Sequence, residues 1–187
     1  MIAAAVRQVA DWLADGVTGV NALRLSVPMD NGETAPAAVT IYDETREPWV
    51  ARGTVPRAKT GTGPLLLVRG PDELAVPIFG TQGNGGYADC EVLVCYVRRA
   101  PAAGSTAVES DDAVRDVYQT MRIIARAIAL QYTEQEANPS RQSVSLDRPT
   151  VRFLRQTAPL SPDGELITGM LSLTFPANDP WAMAAIS

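Results

Sequence analysis

Histidine is missing from this chain altogether. With it go the commonest general base, the commonest metal ligand and the usual partner of a nucleophilic serine. Cysteine is nearly as scarce, with only Cys90 and Cys95 in the run ADCEVLVCYV. On one extended strand these two point to opposite faces and sit about 16 Å apart, at roughly 3.3 Å per residue. A disulfide needs Cα atoms within about 7 Å, so they read as two buried free thiols, the state expected of a reducing compartment. No CxxC pair, no Ser-x-x-Lys and no metal-ligand spacing occurs. Lysine occurs once, at Lys59, so the basic side of the composition is arginine. No run of about 18 apolar residues exists, which excludes an obvious transmembrane helix. The opening MIAAAVRQVADWLADG lacks a basic start, and Arg7, Gln8 and Asp11 interrupt it, so it reads as an amphipathic helix rather than a signal peptide.

What is present is an ordinary globular composition. The chain has 187 residues with 46% apolar and 20% charged, enough for a real core in one domain spanning 1–187. Within it, 43–63 forms a long loop or arm and 176–187 a C-terminal tail. The formal charge of −5 argues against a general nucleic-acid-binding surface, which needs a basic excess, but leaves room for a local arginine cluster.

The longest helical signal is DDAVRDVYQTMRIIARAIALQY, Asp111 to Tyr132. Val114, Val117, Tyr118, Met121, Ile124, Ala125, Ile128 and Tyr132 recur at spacings of three and four, the pattern of a helix lying on a core. Arg115, Gln119, Arg122 and Arg126 form a second stripe. Ser110 or Asp111 suits the N-cap, and Asp111, Asp112 and Asp116 place negative charge near the helix start. The arginine stripe fits an anionic partner; as a solvated helix face it needs none.

Around this spine the pattern predicts a helix over 2–15, with Ile2, Val6, Val9 and Leu13 inward, Trp12 at the edge and Gly16 as its cap. Asn21–Val27 and Val39–Tyr42 read as short strands, and Pro64–Arg69 as a buried one. From Asp43 to Gly63 prolines, glycines and mixed charge mark a long excursion, a docking arm if Trp49 is exposed and a local fold-back if it is buried. Glu73–Phe79 is a short extended run that Pro77 demotes to an edge. GTQGNGGY (Gly80–Tyr87) invites a phosphate-cradle reading, but it lacks Gly-Lys-Ser/Thr and leads into a strand rather than a helix.

Tyr87–Arg99 is the clearest strand. Ala88, Cys90, Val92, Val94 and Tyr96 line one face, and Leu93, Cys95 and Val97 the other, as expected inside a sheet covered on both sides or at a subunit contact. Thr150–Thr157, a Pro-Asp-Gly turn and Glu165–Phe175 form an antiparallel hairpin. Strands cluster rather than alternate with helices. The fold class is α+β, an antiparallel or mixed sheet packed against the long helix and the N-terminal helix.

Carboxylate pairs stand at Asp111/Asp112, Asp43/Glu44 and Asp89/Glu91. The first begins a helix, the second lies in a loop, and the third shares a strand face about 7 Å apart. Helix-start and solvated-edge readings outweigh catalysis for pairs on which no other motif converges. A chain with this profile works through its surfaces and is not expected to be an enzyme or to carry a cofactor.

An N-terminal amphipathic helix, a glycine-rich connection into a long strand (GNGGYADCEVLVCYVRR), a long helix opened by Asp-Asp-Ala-Val and a C-terminal hairpin ending in Leu-Thr-Phe resemble the tail terminator proteins of long-tailed bacteriophages, also termed tail-completion or minor tail proteins. The resemblance implies a non-enzymatic α+β subunit that assembles with itself as a ring, typically a hexamer. Such a ring ends polymerisation of the tail tube and joins it to the head–tail connector or stopper. It implies a place in the virion neck, assembly in the bacterial host cytoplasm, passage of DNA through the lumen, and no membrane or cofactor. Contact segments expected on this reading are 43–63 with Trp49 and Arg52, Phe79 to Tyr87, the tail after Phe175 with Trp181, and the Arg115, Arg122, Arg126 face. A head–tail adaptor or stopper is the nearest alternative. Two others differ in class: a small metal-dependent hydrolase using Asp89 and Glu91, and a scaffold module pairing through the Glu73–Phe79 edge.

Overall fold

The computed structural model describes residues 2–29, 36–48, 50, 63–71, 87–99, 107–137, 150–157 and 166–178. Among these described residues three helices, α1 (Ile2–Leu13), α2 (Val20–Ser26) and α3 (Ala107–Ala137), accompany five strands. The strands are β1 (Thr40–Asp43), β2 (Leu65–Arg69), β3 (Tyr87–Arg99), β4 (Thr150–Thr157) and β5 (Leu166–Asn178). They form one sheet in the order β1-β2-β3-β5-β4. β1 runs parallel to β2, and every other neighbouring pair is antiparallel. The fold is α+β with a mixed sheet.

Alternation along the strands fixes which side meets the helices. Leu66 and Val68 of β2, Val92, Val94 and Tyr96 of β3, and Ile167, Leu171 and Leu173 of β5 join one core cluster with α1, α2 and α3. The intervening residues Leu65, Leu67, Cys95 and Val97 form a second cluster with Val50 on the reverse face. Residues 92–97 of β3 are thus buried on both sides, as the sequence predicts for the middle of this strand. Register pins this arrangement, because a one-residue slip would exchange the two apolar sets. Tyr96 stands opposite Leu66 and Gly169, and Val94 opposite Val68 and Leu171.

α1 buries Val6, Val9 and Leu13 as expected, while Trp12, predicted at the edge of the stripe, is buried too and Ile2 is only half-buried. The helix ends at Leu13 rather than 15, so Gly16 lies three residues beyond its end and does not cap it. Past its end the Asp15 carboxylate accepts the backbone N–H groups of Val17 (2.8 Å) and Thr18 (2.7 Å). These bonds hold the Asp15 carboxyl below its ordinary range. Gly19 closes the elbow. A Cβ there would stand 2.3 Å from the Asp15 carbonyl oxygen, so only glycine fits.

Two further expectations are corrected. Asn21–Val27 is not a strand: Val20–Ser26 is helical, burying Val20, Leu23 and Arg24 while Leu25 is 68% exposed. Seven residues are too few to separate a period of two from one of 3.6, and tertiary partners decide. The Asn21 amide donates to the Val39 carbonyl (3.0 Å) and accepts from the Val39 N–H (2.8 Å), as a neighbouring strand would. α3 is also longer than Asp111–Tyr132, starting at Ala107 and ending at Ala137. Ser110 and Asp111 therefore lie inside the helix and do not cap it, and Asp116 sits in its third turn. At about 1.5 Å per residue α3 is a rod of roughly 46 Å, against about 19 Å across five strands.

The C-terminal strand pair is antiparallel as expected, Thr150 opposite Thr174 and Thr157 opposite Ile167. β5 continues past Phe175, so residues 176–178 belong to the sheet opposite 87–89 of β3. The predicted turn at 160–164 and the remaining tail lie outside the described residues, as do the run 73–79 and the glycine-rich loop up to Gly86.

Candidate interaction surface and buried ion cluster

α3 carries two charged features on different faces. Inward, Asp116 is fully buried and binds three side chains. Arg24 Nη2 of α2 donates to Oδ1 at 2.7 Å, Arg98 Nη1 of β3 pairs with Oδ2 at 2.7 Å, and the Tyr96 hydroxyl of β3 donates to Oδ2 at 2.6 Å. Arg24 Nη1 also donates to the Ala37 carbonyl at 2.9 Å. One carboxylate thus faces two guanidinium groups. The Arg98 side chain is 28% exposed, while that of Arg24 is 2% exposed. Burial and then the Asp116 charge push the Tyr96 phenol well above the ordinary tyrosine range.

Asp116 and Tyr96 have no exposed surface to offer a substrate. The cluster ties α2, α3 and β3 together, and its chemistry is that of a staple. Sequence periodicity missed it by treating Asp116 as a helix-start charge and Arg24 as part of a strand. A signal was present: Asp116 falls three and four residues from Ala113 and Thr120, on the line that continues to Ile123 and Ala127, all buried. An acid on that line needs a buried cation.

Outward, Arg115, Arg122 and Arg126 are exposed, within about 40° of helical arc at about 100° per residue. Two assignments on this helix change sides. Gln119, expected among the arginines, is buried and donates to the Pro28 carbonyl at 2.7 Å. Tyr118, expected on the core side, is 52% exposed and joins the arginine face. The core side instead buries Ala113, Val117, Thr120, Met121, Ile124, Ala127, Ile128 and Gln131.

Of the other expected contact residues, Tyr87 opens β3 opposite Asn178. Trp49, Arg52, Phe79 and Trp181 lie outside the described residues. The carboxylate pairs do structural work where they are seen. Asp43 accepts the N–H groups of Thr45 (2.9 Å) and Arg46 (3.0 Å), and Glu44 accepts that of Gly70 (2.8 Å). Glu91 accepts the Ser172 hydroxyl. Among the described residues no three Asp, Glu or Cys side chains come together as a metal site, and no helix is long and apolar enough to cross a membrane. No protein-family model and no curated protein matches the chain.

Proposed function

We propose that this chain is a ring-forming structural subunit of the tail terminator type, placed in the neck of a long-tailed phage virion between the tail tube and the head–tail connector. The observation that carries the reading is the arrangement of elements. An N-terminal helix and a long helix lie on one face of a mixed sheet whose central strands are β3 and the C-terminal β5. That is the order of elements on which the resemblance rests. A five-stranded sheet with a one-sided helical layer also favours a terminator over the wholly helical adaptors and the small β-barrel stoppers. The exposed Arg/Tyr face of α3 fits a subunit whose work is contact with neighbours.

The test is capping. Tail-tube protein polymerised with the purified chain present should give tubes of arrested length, with a ring at one end in negative-stain images. Tubes that grow equally long with and without it, and bare at both ends, would sink the reading.

A further inference from the structure

We infer that the exposed face of α3 bearing Arg115, Tyr118, Arg122 and Arg126 is one side of a head-to-tail contact between copies of this chain, seated against an acidic surface of the next copy. The inference rests on the ring-forming reading and names the contact that builds the ring. Its first support is charge complementarity. Three of the 16 basic residues gather on this one face, leaving thirteen for the rest of the chain against 21 acidic residues. The rest of the chain is therefore net acidic, the opposite sign to this stripe, and at physiological salt a local patch acts over only about 8 Å.

Composition is the second support. A half-exposed tyrosine flanked by arginines is the residue mixture enriched in interface cores and hot spots, and an arginine fork binds carboxylates through two bonds where lysine offers a point charge. The span of the stripe limits what it can meet. Arg115 to Arg126 spans about 16 Å along the helix at about 1.5 Å per residue. A two-fold axis through that stripe would set arginine against arginine, so the stripe has to meet a different surface of the neighbour. Made head to tail, as the ring-forming reading requires, such a contact propagates and closes into a ring when the rotation allows. A nucleic acid is the less favoured occupant because the acidic remainder of the chain would crowd an extended polyanion beyond these three side chains.

The test is the mass of the full chain in solution over a wide range of protein and salt concentrations. Wild-type protein should self-associate, and salt should weaken that association. R122E/R126E should remain monomeric with unchanged circular dichroism, since both side chains are exposed. Tyr118→Ala should weaken association about tenfold or more. Mixing is the sharper readout. The reversed variant keeps its acidic surface and should join a wild-type stripe, giving short mixed oligomers that cannot close. A wild type that stays monomeric throughout, a reversed variant that associates like wild type, or a mixture without mixed species each overturns the contact. An associating R122E/R126E that still caps tubes leaves the terminator reading standing, whereas failure of wild type to cap tubes removes that reading whatever the masses show.

Discussion

Asp116 shows how a buried charge can be both costly and indispensable. Its carboxylate takes bonds from Arg24, Arg98 and Tyr96, and removing it strands a guanidinium that is 2% exposed. Asp116→Ala should therefore cost about 3–5 kcal/mol, read from urea unfolding, because breaking a buried pair leaves an uncompensated charge. Replacing both partners with apolar groups, R24M/D116L, should recover much of that loss, since buried pairs contribute little against well-packed apolar substitutes. Strict additivity of the two single losses would contradict the coupling. Tyr96 extends the argument to pH. Its phenol is held protonated above the ordinary value of 10.0 by burial and by Asp116. At high pH the unfolded chain then loses this proton first, so the folded state binds more protons and stability falls as pH rises past that value. Urea midpoints at about pH 9 and about pH 11 bracket the ordinary tyrosine range. The drop between them should shrink in Tyr96→Phe, and an equal drop in both proteins would dismiss the assignment.

At the scale of elements, the seating of α3 on the sheet turns on Gly169 of β5. A Cβ there would stand 2.7 Å from Met121 Cγ and 3.1 Å from Val117 Cγ1. The glycine interrupts the apolar alternation of Ile167, Leu171 and Leu173 where the Met121 and Val117 side chains of α3 already fill the space a side chain would take. Gly169→Val should destabilise by about 1–3 kcal/mol through overpacking, and Met121→Ala in the same chain should return part of it. A loss unchanged by the second substitution would place the strain elsewhere. The same elements show what was legible in advance. The strands β3 and β5 were readable because their period of two runs over enough residues to fix it, and a slip would turn a core face outward. β2 was readable as a short continuous apolar run between Pro64 and Gly70. α1 was readable from its stripe. α2 was not, because Leu23, Leu25 and Val27 imitate a strand face while the partner that makes Arg24 a core residue lies 92 positions away. In α3 the period was right and the phase was off by an edge residue, since Tyr118 and Gln119 both sit at the border of the stripe. Amphipathic side chains at a border are placed by their neighbours and not by the helix itself.

For the whole molecule, the staple at Asp116 and the arginine face are the two sides of one helix, and only the outer one was visible in the sequence. Exposed arginines announce themselves by spacing alone. A buried ion cluster depends on which elements fold against each other, and that is long-range information. The division has a thermodynamic consequence. α1, α2, α3 and the sheet share a single core cluster, so a copy should unfold in one cooperative transition. If copies associate through the outer face of α3, the associated form is favoured by mass action, and the melting temperature should rise with protein concentration. R122E/R126E removes the contact without touching the core, so its melting temperature should be independent of concentration and match wild type at high dilution. D116A should behave in the opposite way, melting lower at every concentration while keeping the concentration dependence. The two variants therefore separate holding the helix in place from using it, by differential scanning calorimetry over a hundredfold range of concentration, on the order of 2.7 kcal/mol of linkage. Equal concentration dependence in wild type and R122E/R126E would mean that α3 serves folding alone.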